Sequence, residues 1–160
     1  MGFLPMNELP ELWPHVVAWV DDLQAQARQH GREITTLESD LARIVGVTQL
    51  GEVRILSVTK IPPPAHARVK ELAQQIDMLT SHTAGITAMH GVIVRFGCAG
   101  NLRLLAHEFV HVKEYERLGK EGFLKEYIRQ IDVHGYHNAP CEIEAEAKAV
   151  EACREAGISL

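Results

Sequence analysis

The sequence predicts an α+β fold, in which a small antiparallel or mixed sheet packs against helices that dominate the C-terminal part. Clusters of β-branched residues occur only in the first hundred residues, at 52–60 and 85–97, and the pattern is helical from Asn101 almost to the end. The chain has 160 residues, 46% of them hydrophobic, which suits one core. We therefore expect one domain over residues 1–160, with a helical segment at 1–50 preceding the region 51–160.

Charge and composition exclude several classes of function. The net charge of −5, from 16 Lys+Arg against 21 Asp+Glu, argues against a nucleic-acid partner, which requires a basic surface. The longest uncharged run, residues 78–94, is interrupted by Ser, His and Gly and is too short and polar to span a bilayer. Three cysteines without close spacing and a start without an export or lipidation signal predict a cytoplasmic protein with no membrane partner.

Two helices are predicted in the first fifty residues. Apolar residues at helical spacing indicate an amphipathic helix over residues 11–30, which ends where glycine follows His30. Thr35 and Glu38 stand in the relation of a capping box, so a second helix should begin there and stop at Gly46. Both helices have one apolar face. The sequence leaves open whether residues 1–50 form a scaffold, a substrate-binding cap or a self-inhibitory segment.

The β-structure is expected in the middle of the chain. Residues 52–60 are rich in β-branched side chains and predict a strand, which Pro62–Pro64 must end because proline cannot donate to a ladder. A third helix is predicted from Val69 to Leu79 by its apolar spacing. Residues 85–97 then predict either a hairpin turning at His90–Gly91 or one bent strand.

The remaining chain is predicted to be helical, with two interruptions. Glycines make residues 119–122 a break, after which a further helix is expected around Phe123–Ile131. Residues 134–140 form the second break. Asn138 is a suitable N-cap, and Pro140 suits the first turn of the last helix.

The helix after Asn101 contains the motif HExxH, formed by His107, Glu108 and His111. Four residues advance a helix by about 400°, so the two imidazoles project from one face and can bind one metal ion. Glu108 projects beside them, where a general base can take a proton from metal-bound water without ligating the metal. The opposite face of the same helix is apolar and consists of Leu102, Leu105, Ala106, Phe109 and Val112.

This segment resembles the active-site helix of zincin metallopeptidases. The continuation used by metzincins is absent, because VKEYERLG follows His111. The resemblance therefore implies the gluzincin branch, in which the third ligand is a glutamate on a following helix. A second acidic residue four positions later often orients a ligand histidine in that branch. One Zn²⁺ per chain and a zincin-like fold are what the resemblance implies.

Periodicity in the last helix offers candidates for the missing carboxylate. Glu142 and Glu146 fall within the predicted apolar arc, where unsatisfied carboxylates are costly. We assign Glu142 as the third ligand and Glu146 as a hydrogen-bond acceptor for His107 or His111, with the reverse order left open. The predicted solvated stripe consists of Glu144, Lys148, Glu151 and Glu155, and the opposite apolar arc of Ile143, Ala145, Ala149, Val150, Ala152, Cys153 and Ala156.

The run NAPCEIEAEAKA also resembles the Glu-x-x-Ala type of third-ligand helix in small gluzincins. In this comparison Ala145 and Ala149 would let the ligand helix approach the HExxH helix closely. The loop before it, HGYHNAP, supplies two candidates for stabilising an oxyanion, Tyr136 first and His137 second. Capping or packing is the alternative role for both.

The strand before the HExxH helix is a candidate for substrate binding. In zincins the corresponding strand lies at the edge of the sheet and pairs with an extended peptide substrate. The resemblance therefore implies that main-chain groups of Val92, Ile93 and Val94 bind substrate by strand addition. Plain sheet scaffolding is the competing explanation.

The predicted function is zinc-dependent hydrolysis of peptide bonds in a peptide or protein substrate. In this reaction Glu108 serves as base, and zinc is held by His107, His111 and Glu142. Two alternatives remain at this point. A non-peptidase hydrolase resembling peptide deformylases would recruit a cysteine such as Cys98, although Val110 stands where that motif usually has Asp. A catalytically silent zincin-like module would serve only to bind a partner, and it would have no need for Glu108.

Overall fold

A computed structural model describes residues 2–160 and confirms the α+β class. The strands are β1 (Arg54–Val58), β2 (Gly85–Ala88) and β3 (Gly91–Arg95). The helices are α1 (Leu9–His30), α2 (Thr36–Val45), α3 (Ala67–Gln75), α4 (Leu102–His134) and α5 (Pro140–Glu155). Short 3₁₀ turns cover Met6–Glu8 and Leu50–Glu52.

The three strands form a mixed sheet in the order β1-β3-β2. β1 runs parallel to β3, and β2 is antiparallel to it. Of the two predicted arrangements the hairpin is present, but it turns at Met89–His90, with Met89 at φ 57°. Gly91 lies inside β3, where a Cβ atom would lie 2.8 Å from the Cβ of Ala27. The absence of a side chain at Gly91 therefore permits the close approach of α1 to the sheet. Gly91 does not form the turn of the hairpin.

Alternate residues of β3 contribute to two parts of the core. Val92 and Val94 pack with buried residues of α2, α4 and α5, whereas Ile93 packs with those of α1. All three side chains have no exposed surface. One face of the sheet thus packs against α1 and the later part of α4, and the other face packs against the beginning of α4, which carries the HExxH motif.

The prediction that Val92, Ile93 and Val94 bind substrate by strand addition is wrong. β3 is the central strand, and residues 92–94 pair with β1 on one side and with β2 on the other. Their main-chain donors and acceptors are therefore already used in the sheet. In residues 2–160, β2 is the strand at the edge of the sheet beside α4.

Helix α4 carries the HExxH motif and bends at Gly119, which has non-helical angles of φ 75° and ψ 167°. This confirms the predicted interruption, and the helix predicted around Phe123 is the second half of α4. The predicted N-cap at Asn138 is wrong, because Ala139 is the residue that precedes α5. The amide of Cys141 donates instead to Gln130 Oε1 at 2.8 Å, so a contact with α4 replaces a local cap.

Helix α1 belongs to the scaffold of the fold. Its buried residues Trp19, Leu23 and Ala27 pack against the sheet and the second half of α4. This placement gives the N-terminal segment a structural role that the sequence left unassigned. Among residues 2–160, no helix combines the length and the apolar character needed to cross a membrane.

The capping box of α2 provides a test of the fold that is independent of the site. Glu38 is 5% exposed and accepts from Arg32 at 2.8 and 2.9 Å and from the amide of Thr35. Burial opposes ionisation, but these hydrogen bonds outweigh it and lower the pKa of Glu38. Ionised Glu38 therefore stabilises the fold fully at pH values above the pKa of an unfolded glutamate. This stabilisation is lost as the pH falls through the lower pKa that Glu38 has in the folded protein.

We expect Glu38→Gln to reduce the free energy of unfolding by about 1–2 kcal/mol at pH 7, because a charged, buried acceptor is lost. The difference from the unmutated protein should shrink as the pH falls below the pKa of an unfolded glutamate, about 4.3, and should vanish once the pH has passed the lower folded pKa of Glu38. Urea unfolding at pH 7 and pH 3.5 measures both effects. Asp40→Asn, at an exposed pair with Arg43, is the matched control and should change little. Equal stability of both variants at pH 7 would contradict the prediction.

Candidate metal centre

Helices α4 and α5 bring His107, His111 and Glu142 together. One ligand atom from each residue lies within 4.8 Å of the other two. Oε1 of Glu142 is 2.8 Å from Nε2 of His107 and 3.2 Å from Nε2 of His111, so both imidazoles face the same carboxylate oxygen. Within residues 2–160, no other group of three or more His, Cys, Asp or Glu side chains has its ligand atoms this close together.

The three side chains are largely withdrawn from solvent, with 16%, 6% and 13% of the side chain exposed for His107, His111 and Glu142. Burial alone would raise the pKa of Glu142, but hydrogen bonds from both histidines lower it far below its ordinary value. Burial would lower the pKa of both histidines. For His107 the hydrogen bond to Glu142 opposes burial, and for His111 the hydrogen bonds to Glu114 and Glu142 do so. Together with the charges of Glu108 and Glu142 these bonds outweigh burial, and both pKa values are raised. The carboxylate is therefore ionised and ready to ligate a cation.

Each of the three side chains has a further partner behind it. Nδ1 of His107 lies 3.1 Å from Glu146 Oε2, and Nδ1 of His111 lies 3.0 Å from Glu114 Oε1. The hydroxyl of Tyr127 donates to Oε2 of Glu142. The order left open by the sequence is thus decided geometrically: Glu142 faces the Nε2 atoms, and Glu146 contacts the far nitrogen of His107. Such partners set the orientation and basicity of metal ligands.

Glu108 lies outside this group of ligand atoms. Its Oε2 accepts from the hydroxyl of Thr87 at 2.5 Å, and the residue is 5% exposed. A Cβ atom on Gly85 would lie 3.3 Å from Oε1 of Glu108, so glycine leaves space beside this oxygen. Glu108 lines a cavity that also reaches His111 and Glu142. The carboxylate of Glu108 is therefore held by Thr87 of β2 while it faces the same cavity as His111 and Glu142.

The two residues predicted to stabilise an oxyanion are placed differently. Tyr136 lines the cavity with Glu108 and Glu142, and burial together with the charge of Glu142 raises its pKa. His137 is 70% exposed, and its Nε2 lies 3.5 Å from Asp77 Oδ2. It lines an open depression on the outer side of Glu142 and Glu146. The structure thus brings Tyr136 but not His137 to the cavity.

Cys98, the cysteine considered as an alternative ligand, does not join the cluster, and neither does Cys141, which directly precedes Glu142. Cys98 precedes α4 in a turn and is half-buried, and Cys141 is buried. Burial and the charge of Glu142 raise the pKa of Cys141 to about 12, which keeps its sulfur as a thiol. In residues 2–160 the converging ligand atoms belong to His107, His111 and Glu142, so the donor set of this cluster is two imidazoles and one carboxylate.

Sequence reasoning missed four side chains that support the site. Glu114 follows His111 by three residues, a helical spacing that could have suggested the pair. Arg103 hydrogen-bonds Glu146 from one turn before His107. Thr87 lies on β2 and Tyr127 on the part of α4 after Gly119, and no local sequence pattern predicts that either contacts the site.

The predicted apolar arc of α5 is wrong at one position. Ile143 is 56% exposed and therefore does not belong to the buried face of this helix.

The geometry of the cluster suits a small divalent cation. Ligand atoms about 2.0–2.1 Å from a tetrahedral zinc lie about 3.3 Å from one another. To reach that separation, the 2.8 Å distance from Oε1 of Glu142 to Nε2 of His107 needs to lengthen by about 0.5 Å, and the 3.2 Å distance to Nε2 of His111 by about 0.1 Å. Comparison of the chain with protein-family models, with curated proteins and with solved structures finds no match. The function of the chain is therefore inferred from the geometry of this site.

Proposed function

We propose that the chain is a zincin-like, zinc-dependent metallopeptidase that binds one Zn²⁺ per chain. The observation that supports this most directly is the convergence of His107, His111 and Glu142 while Glu108 stays outside the ligand set. Three protein ligands leave one tetrahedral position for water or substrate, as in catalytic zinc sites. A structural zinc site would have no need for an unligated carboxylate held beside it.

The architecture supports the zincin-like part of the proposal. The helix with the two histidines packs against a small sheet, and a later helix supplies the carboxylate. β2 lies at the edge of that sheet, and its Thr87 holds Glu108. We infer that an extended peptide substrate pairs with the outer edge of β2 at Gly85 and Ile86, where no further strand is paired within residues 2–160. Farther along the same edge, the carbonyl of Thr87 already accepts from the hydroxyl of Tyr115.

The residues of the chain have distinct parts in this chemistry. Bound zinc would polarise the scissile carbonyl and make water acidic enough to attack it at neutral pH. Glu108 accepts the proton of the attacking water and delivers it to the leaving amine nitrogen. Thr87 restrains one of its oxygens, which leaves Oε1 free for the proton. The raised pKa of Tyr136 keeps its phenol protonated, so it can donate to the oxygen of the attacked carbonyl.

The direct test of the proposed function is cleavage of a diverse peptide library by the zinc-loaded protein, with products identified by mass spectrometry. Cleavage should stop when a chelator removes zinc and return when zinc is added back. Purified protein should contain about one zinc per chain. Zinc binding without any cleavage would favour the silent partner-binding module instead.

Tyr127 provides a prediction specific to this chain. Its hydroxyl occupies Oε2 of Glu142, so only Oε1 faces the two histidines. We expect Tyr127→Phe to weaken zinc affinity about 10- to 100-fold, because Glu142 loses the partner that orients it. Competition with a chromophoric chelator measures the affinity. Tyr136→Phe is the matched control, since it removes a hydroxyl from the same cavity without removing a hydrogen bond to Glu142. Equal zinc affinity of the two variants would count against this role.

A further inference from the structure

A cavity of about 140 Å³ extends from the candidate metal centre into the space between α1, α3, β2 and the second half of α4. One end is formed by Glu108, His111 and Glu142. Away from this end the wall is apolar and includes Trp19, Val69, Leu72, Ala73, Ile76 and Ile128. Within residues 2–160, no lysine or arginine lines it. The cavity therefore has a charged end at the candidate metal centre and an uncharged, apolar body.

The N-terminal segment closes one side of this cavity, which Leu4 and Met6 line. The amides of Phe3 and Leu4 donate to Asp132 at 2.9 and 3.0 Å, near the end of α4. At the other end of the segment, Arg68 of α3 donates to both oxygens of Glu8 at 2.9 and 2.8 Å. The wall is thus held at both ends, which gives the cavity a defined size.

We propose that this cavity is a specificity pocket for one large apolar side chain, such as Phe, Leu or Met, of the peptide substrate. The inference rests on the proposed peptidase function. A cavity of about 150 Å³ lined by aliphatic and aromatic side chains holds one benzene ring, so the size suits a single side chain of this class. A charged side chain would lose its hydration without gaining a partner in the body of the cavity.

The shared boundary with the metal centre places this side chain next to the bond that is cut. Glu108 belongs both to the cavity wall and to the reacting groups, so a residue whose side chain fills the cavity has its main chain beside Glu108. The polar groups at this end, Thr87 and Tyr136 among them, suit the amides of a peptide. The pocket thus selects the residue that flanks the scissile bond.

The first test is binding of three probes to the full-length protein, with and without zinc: the N-acetyl amides of phenylalanine, alanine and lysine. Calorimetry or methyl NMR should show the phenylalanine amide binding at least about tenfold more tightly than the other two, because it alone buries a large apolar side chain. Ala73→Phe fills the cavity from α3 and should abolish this preference. Ala67→Phe, on the exposed side of the same helix, should keep it.

Leu72→Phe is a milder second variant, for use if Ala73→Phe does not fold as judged by thermal unfolding. It should reduce the preference for the phenylalanine amide at least about threefold. Equal binding of the three amides to the unmutated protein would overturn the inference, and so would an unchanged preference in a folded cavity variant.

A second test uses cleavage by the zinc-loaded protein. Its kcat/KM should be at least about tenfold higher for peptides with Phe than for matched peptides with Ala at the selected position. Selective binding without peptide cleavage would count against the peptidase proposal alone and would leave the pocket supported.

Discussion

Glu108→Gln is expected to lower kcat/KM for peptide cleavage by about 10²- to 10⁴-fold while zinc content and thermal stability stay close to those of the unmutated protein. The amide retains the size of the carboxylate and its contact with Thr87. It cannot accept a proton from the attacking water, and this proton transfer is worth such a factor in enzymes. Steady-state kinetics on a cleaved peptide, with zinc measured on the same samples, provides the comparison.

Glu151→Gln is the matched control for this experiment. It makes the same chemical change on the exposed side of α5 and should leave kcat/KM within about twofold, as expected of a surface substitution. Full activity of Glu108→Gln would remove this residue from the mechanism. Loss of zinc from the variant would show instead that Glu108 supports the metal site, and the role of base would then be unsupported.

Glu142→Ala and His111→Ala are expected to remove zinc from the purified protein, which otherwise holds about one ion per chain. Each substitution leaves only two protein ligands. We therefore expect the affinity to fall by more than about 100-fold, beyond the loss typical of an outer hydrogen-bond partner. Metal analysis after gel filtration and titration with a competing chelator measure the stoichiometry and the affinity.

Two further variants separate the possible third ligands. Glu146→Gln should weaken zinc binding by about 10- to 100-fold at most, since Glu146 contacts the far nitrogen of His107. Cys98→Ser should leave zinc binding unchanged, because this cysteine lies outside the ligand cluster. A dominant loss in Cys98→Ser would favour the deformylase-like hydrolase. Retention of one tightly bound zinc in Glu142→Ala would exclude Glu142 as a ligand.

Local patterns in the sequence were sufficient for much of the scaffold. The capping box of Thr35 and Glu38 and the left-handed Gly46 delimit α2 as predicted. The HExxH helix buries Leu105, Ala106, Phe109 and Val112, all with no exposed surface, and turns its histidines away from them. These features depend on residues within about one or two helical turns of each other, so helical geometry alone relates them. The same geometry made Glu142 and Glu146 candidates within α5.

Contacts between distant segments decided the rest. Strand order places residues 92–94 in the centre of the sheet, where alternation of side chains is the same as at an edge, so no pattern in the sequence distinguishes the two positions. Likewise, the bond from the amide of Cys141 to Gln130 made a local cap at Asn138 unnecessary.

The sequence by itself thus determined the α+β class, the helix that carries His107, Glu108 and His111, and the candidate carboxylates of α5. Only the tertiary structure decided which carboxylate faces both imidazoles, that Tyr127 and Thr87 hold Glu142 and Glu108, and that an apolar cavity adjoins them. The physical reason is that periodicity records which face of an element is buried, whereas a site depends on which faces of separate elements meet.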